Sequence, residues 1–458
     1  MGPGGAGRRQ GGAAARSEWE TAAVELLAAL WRFRLELTIV AVVVAGQRVL
    51  ARTLGDVAAG LVVVALVAGP LVIRRWRRLV VRSLGLASLR RTWERAAADA
   101  GLSDGPLRAP RVLSRAGIPA GDELQVRVRR GQSVADLDAR RDALAACLRV
   151  REVRVRRDPA DAATAHVTLV RRDPFDEGMP VAWPAVQASE LSLWDPVPIG
   201  VDEYGRTVEI GLVERNALIG GEPGAGKSVA VSTLVAAGAL DRDACVWLLD
   251  GKLVELAVWA PLAERLVGPD GEQAIAALRE LQQVMEDRYR ELLARGLRKV
   301  RREEGLPLHL VVCDELAFYL TLPDRKQRQE FAELLRDLVA RGRAAGVIVV
   351  AATQKPGADV VPTALRDLFG FRLALRCNTP QASDTILGQG WASAAADAST
   401  IPGGQRGVGY LLAEGERPER IKSFFLSDED VRAIAERAAG ECADAWLATA
   451  QDREVQPA

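Results

Sequence analysis

The sequence predicts an α/β fold: a P-loop motor with a mostly parallel sheet, preceded by a two-helix transmembrane hairpin and a small βαββ domain. Three observations predict it. The octet Gly221-Glu222-Pro223-Gly224-Ala225-Gly226-Lys227-Ser228 fits G-x-x-x-x-G-K-[ST], with a strand pattern (Arg215–Gly220) before it and a helix pattern (Val229–Val235) after it. Four more apolar runs of strand length follow, separated by helical patterns, the order expected of a mostly parallel sheet covered on both faces. Two charge-poor stretches stand before residue 78.

In chain order, residues 1–30 form a tail expected on the cytoplasmic side. Met1–Arg16 is rich in Gly, Ala and Arg and too poor in apolar residues to fold, and Glu18–Leu30 has the spacing of a short amphipathic helix. Residues 31–78 carry the hairpin. Leu37–Thr53 and Val57–Ile73 are apolar, the second without any charge, and its length of about 17 residues meets the lower limit for a spanning helix. Arg32 and Arg34 precede the pair, and Arg74-Arg75-Trp76-Arg77-Arg78 stops it. Positive flanks on both sides put both ends in the cytoplasm. The alternative is a pair of buried helices in a soluble domain.

Residues 79–190 read as a linker and a small βαββ domain. Asp122–Val128 alternates as a strand, Ser133–Leu148 has helical spacing, and Arg149–Arg156 and Ala165–Val170 alternate again. Arg127, Arg129 and Arg130 are basic enough to touch phosphates. A solvated strand edge, where charge blocks aggregation, is the alternative.

Residues 191–426 hold the motor, and 427–458 a short helical tail. The glycines of the octet let the loop curl so that N–H groups point at phosphate oxygens, with Lys227 reaching the β- and γ-phosphates and Ser228 holding Mg²⁺. His309-Leu310-Val311-Val312-Cys313-Asp314-Glu315 is a buried strand ending in acid. Asp314, at the carboxyl end where ligands of open α/β sheets bind, would hold Mg²⁺; Glu315 would be the general base that polarises water. No N-K-x-D motif is present to read guanine, so ATP is the nucleotide expected. Cys245–Asp250, Val347–Ala352 and Phe371–Leu375 supply further strands, and Gln354 follows the second of them, where RecA-like motors place an amide that senses the γ-phosphate.

Composition bounds the rest. A chain of 458 residues holds two or three domains. Formal net charge of +1 excludes a globally basic protein, so any nucleic acid must meet a local surface. Lys227, Lys252, Lys299, Lys326, Lys355 and Lys422 are the only lysines, and the Arg, Ala, Gly and Val usage points to a GC-rich genome such as an actinobacterium's. Cys147, Cys245, Cys313, Cys377 and Cys442 are scattered and read as reduced core residues. His166 and His309 are too far apart to suggest a metal site.

From Leu193 to Phe425 the chain resembles the FtsK/SpoIIIE-type DNA translocases. The resemblance rests on ordered blocks: Pro196-Val197-Pro198-Ile199-Gly200, the phosphate loop, Asp250-Gly251-Lys252 through Glu255-Leu256, Met285-Glu286-Asp287-Arg288-Tyr289, Gly342–Gly346, Ala352-Thr353-Gln354-Lys355-Pro356 and Asp384-Thr385-Ile386-Leu387. Glu-Pro-Gly-Ala stands in the loop where the family shows Thr-Thr-Gly-Ser, and Gly251 replaces a proline. The tail after Ser427 is too short for the family's DNA-reading winged helix. The short build is similar to the Tra proteins of actinobacterial conjugative elements. The resemblance implies a membrane-anchored, multi-pass ATPase that forms a homohexameric ring around double-stranded DNA, with loading by a separate protein. It also implies an arginine finger from a neighbouring subunit, with Arg372 in the matching position and Arg343 and Arg341 as alternatives. Chromosome partitioning in division or sporulation, and type VII-like protein secretion, are the other functions in view.

Overall fold

The computed structural model describes residues 74–440, apart from 103–108, 177–178, 355–356, 358–360 and 395, together with the isolated positions 45 and 48. The chain divides into two compact units, with the main boundary between Arg171 and Arg172.

In the first unit, helix α1 (Arg74–Asp99) leads into strand β1 (Arg111–Ile118), strand β2 (Gly121–Arg127), helices α2 (Val134–Ala139) and α3 (Arg141–Leu148), and strands β3 (Glu152–Arg157) and β4 (Thr164–Val170). The sheet order is β1-β2-β4-β3. On α1, Leu89, Trp93, Ala96 and Ala97 recur at helical spacing and are buried against Leu124, Val126, Val167 and Leu169 of the sheet. Trp93 Nε1–H donates to Pro110 O at 2.8 Å. Ser133 caps α2 through a capping box with Asp136. This unit corrects the expected βαββ pattern. A strand, β1, precedes it, hidden because Arg-Val-Leu-Ser-Arg-Ala-Gly-Ile does not alternate and is mostly exposed. That strand also moves β2 off the sheet edge. Arg127 pairs with Asp161 at 3.2 Å, and Arg129 Nε donates to Ala109 O at 3.0 Å.

The two apolar stretches of the expected hairpin lie outside the described residues. Among the described residues no helix is long and apolar enough to cross a membrane. The arginine cluster Arg74–Arg78, expected as a stop, is helical and belongs to α1.

The second unit is built on a ten-stranded sheet. Its strands are β5 (Val197–Asp202), β6 (Thr207–Ile210), β7 (Ala217–Gly220), β8 (Ala244–Leu249), β9 (Ala263–Val267), β10 (Leu308–Cys313), β11 (Val347–Thr353), β12 (Phe371–Leu375), β13 (Val408–Ala413) and β14 (Glu419–Ser423), in the order β6-β5-β14-β13-β12-β7-β11-β10-β8-β9. The strands from β12 to β9 pair in parallel. The other four join antiparallel at one edge, so the sheet is mixed. β7, β8, β10 and β11 are apolar and buried on both faces because helices cover both. Residues alternate between two cores: Leu248, Leu310, Val312, Ile348 and Val350 face one, and Trp247, Leu249, Val311, Cys313 and Val349 face the other. Helix α4 (Lys227–Ala239) packs on the first face so closely that a Cβ at Gly238 would stand 2.4 Å from Leu310 Cδ2. Helices α5 (Gly271–Ala294) and α6 (Arg325–Ala345) cover the second, burying Leu278, Leu281, Phe331 and Leu338.

Outside this frame, a helix over 428–440 follows the sheet, which agrees with the short helical tail as far as it is described. Cys313 and Cys377 are buried as expected, whereas Cys147 is exposed on α3.

Candidate functional site

Register brings the predicted residues to one end of the sheet. Gly220 pairs with Thr353, Ala351 with Cys313, and Cys313 with Leu249, so β7, β11, β10 and β8 end side by side. Whatever follows each strand therefore emerges beside its neighbours. The phosphate loop follows β7, Asp314 and Glu315 follow β10, Gln354 follows β11 and Asp250 follows β8.

The loop takes its shape from two left-handed glycines, Gly224 at φ 78° and Gly226 at φ 104°. Other residues are strained there. A Cβ on Gly226 would also stand 2.8 Å from Gly407 N, because the loop before β13 lies directly against it, with Gly407 N–H donating to Ala225 O at 2.8 Å. Lys227 opens α4, and Ser228 follows in its first turn. The first N–H groups of that helix are free of intrahelical partners and favour an anion.

Lys227 is buried, with Nζ donating to Asp314 O at 3.1 Å and lying 3.3 Å from Asp314 Oδ1. Asp314 is fully buried, and its Oδ2 has no hydrogen-bond partner. An orphaned carboxylate oxygen beside a phosphate loop is what a Mg²⁺–nucleotide ligand would satisfy. The residues fit that group: Lys227, Ser228 and loop N–H groups for phosphates, and Ser228 with Asp314 for Mg²⁺. Among the described residues no cluster of three His, Cys, Asp or Glu forms a metal cage. Mg²⁺ does not need one, since it is held through one or two protein oxygens, phosphates and water.

Glu315 is tied to the neighbouring strand end: its Oε1 accepts from Thr353 Oγ1 at 3.2 Å and from Gln354 N–H at 3.1 Å. Gln354 therefore touches the expected base through its backbone. Thr353 is a partner the sequence pattern did not single out, and its place at the last position of β11 was the available signal. Asp250 has a structural task, accepting from the N–H groups of Lys252, Leu253 and Leu256 and so folding the loop after β8. Gly251 is held tight there: a Cβ would stand 3.3 Å from that of Glu315 and 3.2 Å from that of Phe318.

Arg372 is not at this end. It pairs in register with Leu218, two residues before β7 finishes, and its side chain lines a separate cavity of about 200 Å³ with Arg343, Asp367, Trp391 and Glu414. Its Nη1 lies 3.5 Å from Asp367 Oδ1, and its Nε is buried without a partner. Burial lowers the guanidinium's pKa, opposed by Asp367. Arg343 donates to Leu368 O at 2.6 Å. Arg341 is committed to Glu286 and Asp337 on the helical face, joining α5 to α6.

A phosphate loop, its lysine on a strand-end aspartate, and a glutamate steadied by the adjacent strand define a P-loop NTPase motor core. Residues 194–389, the core of the second unit, match the model of the FtsK/SpoIIIE family. The DNA translocase FtsK of Lactococcus lactis subsp. cremoris is 26% identical over 339 residues, 69% of this chain and 43% of the relative. The DNA translocase SftA of Bacillus subtilis is 28% identical over 267 residues, 54% of this chain and 27% of the relative. The chain thus spans less than half the length of these curated relatives. Among solved structures, the pCW3 conjugation coupling protein TcpA in its monomer form with ATPγS aligns with a TM-score of 0.50 at 17% identity, over 76% of this chain and 98% of that one. That likeness bears on the fold.

Proposed function

We propose that this chain is an ATP-driven motor that pumps double-stranded DNA, and that it serves conjugative transfer from a membrane anchor over residues 31–78 with the motor in the cytoplasm. The observation that carries it is the contact of Lys227 with Asp314, whose second oxygen is left without a partner in the core. It joins the two halves of a hydrolytic nucleotide site in a chain whose residues 194–389 match the FtsK/SpoIIIE family. Lys227 and the loop N–H groups hold the phosphates, and Ser228 and Asp314 hold Mg²⁺, which neutralises charge as it develops on the phosphoryl oxygens. Glu315 accepts the proton of the attacking water. Arg372, which lies away from its own chain's loop, reaches a neighbour's site in a homohexameric ring. DNA loading falls to a separate protein.

The reading is tested by ATP turnover of the full chain with and without duplexes of unrelated sequence, at low and high salt. Stimulation by any duplex that fades steeply with salt is expected, because phosphate contacts release counterions. Equal turnover with and without DNA would turn the reading to protein secretion. Chromosome partitioning remains the second reading, favoured by the named relatives FtsK and SftA. Deleting the gene and measuring both plasmid transfer and chromosome segregation separates the two. The anchor is tested by reporters fused after Arg78 and near Gly55, expected cytoplasmic and external respectively.

A further inference from the structure

The phosphate loop contains a carboxylate, Glu222, and a polyphosphate would have to bind beside it. Like charge at that distance weakens an anion's binding unless something cancels it. One cation does so. Arg376, directly after β12, places Nε 2.6 Å from Glu222 Oε1. The backbones are joined as well, with Glu222 N–H donating to Arg376 O at 2.9 Å. Both side chains are largely enclosed, 24% exposed for Arg376 and 15% for Glu222, so solvent screens the pair only in part. The surroundings make room for this geometry: a Cβ at Gly403 would stand 2.7 Å from Arg376 Nη1, and one at Gly221 would stand 2.8 Å from Leu375 Cβ. Among the described residues Glu222 is the only acid that Arg376 pairs with.

We propose that Arg376 is a positioning residue of the nucleotide site. It neutralises the loop's own carboxylate and sets the affinity for a nucleoside polyphosphate through Glu222, without itself touching the phosphates. The inference rests on the octet being the nucleotide site. It assigns the departure at Glu222 a partner, so that the two positions act as one unit.

The test is a fluorescent ATP analogue titrated into the full chain and its variants, Arg376→Gln, Glu222→Gln, Arg376→Lys, the double Glu222→Gln/Arg376→Gln, and Lys227→Ala. Uncovering one half-buried charge near a polyanion should weaken binding by about tenfold in Arg376→Gln. Glu222→Gln should bind a few fold tighter than the unaltered chain, the double variant should recover to within about threefold of it, and Arg376→Lys should stay near it. Recovery in the double variant is the readout that a merely structural pair would not give. A double variant as weak as Arg376→Gln would make Arg376 a direct phosphate ligand and overturn the proposal, as would unchanged binding by Arg376→Gln. Should Arg376→Gln fail to fold, Glu222→Gln decides alone, since weaker binding by it overturns the proposal. Equal binding by the unaltered chain and Lys227→Ala would sink the nucleotide-site reading itself, and with it the proposal.

Discussion

At the scale of single residues, the proposed mechanism gives binding and cleavage to different side chains. Lys227 provides the buried charge beside the loop, while Glu315, the residue after Asp314, turns its carboxylate to Thr353 and Gln354 at the end of β11. Lys227→Ala should therefore lose nucleotide binding. Glu315→Gln should retain it and lose turnover by about a hundredfold or more, the scale of a missing general base. Single-turnover hydrolysis beside equilibrium binding checks both, and normal turnover by Glu315→Gln would remove that residue from the mechanism. A second titratable residue reports on stability. His309 is buried at the start of β10, where Trp247 Nε1–H donates to its Nδ1 at 3.3 Å. Burial, helped by the Arg288 charge, lowers its pKa from 6.5 to about 4. The unfolded chain thus takes up a proton that the folded chain refuses. This stabilisation is complete above pH 6.5 and is lost as pH falls towards 4, by about 3 kcal/mol over the window. His309→Asn, which keeps an acceptor that does not titrate, should flatten that limb in urea unfolding between pH 4 and 7.

Elements depend on contacts that no local pattern displays. Asn216 precedes β7 and is fully buried; its Nδ2 donates to Val339 O of α6 at 2.9 Å, and its Oδ1 accepts from Val349 N–H of β11 at 2.8 Å. One side chain thereby fastens the strand leading into the phosphate loop to a helix and a second strand. Asn216→Ala would orphan the buried Val349 N–H and remove the second bond to Val339 O, whose partner within α6 remains, costing about 1–3 kcal/mol. Thermal or urea denaturation of the motor transition measures it, and a loss below 0.5 kcal/mol would mean that water replaces the amide. The same contrast explains what was legible in the sequence. β7, β8, β10 and β11 were readable because strands covered on both faces are unbroken apolar runs, β12 because only Arg372 interrupts its run, and the loop because its glycines obey a spacing rule. β13 and β14 were missed, since Glu419–Ser423 alternates too briefly to stand out and its pairing depends on strands far away in sequence. β1 was missed because five of its eight positions are exposed or half-exposed polar or small residues. Among site residues, Thr353 and Arg376 stayed hidden because they act through Glu315 and Glu222, and a motif names only what touches the ligand.

For the whole molecule, the position of Arg372 carries the assembly question. In its own chain it lies level with Leu218, inside a cavity shared with Arg343 and Asp367, and away from the loop end of the sheet. A finger that serves a neighbour is displaced in this way from its own nucleotide. Arg372→Ala should then bind ATP normally and lose hydrolysis by about a thousandfold, the lower end of what such fingers contribute. Mixing it with Lys227→Ala protein should restore part of the turnover, each subunit supplying what the other lacks. No recovery at any mixing ratio, together with weakened binding by Arg372→Ala alone, would assign the arginine to packing against Asp367 within one chain.

Gly407 has a consequence for how such a motor is born. The octet is made early, but its glycine at 226 rests against a backbone near the end of the second unit, and β7 has β12 beside it. A nascent chain that has only just passed Ser228 owns the motif without the walls that hold it in shape. The pocket closes once the hairpin of β13 and β14 has left the ribosome and folded back. Translation order therefore sets when the loop is walled in: a chain cut short anywhere before that hairpin lacks the backbone at Gly407 on which Gly226 rests.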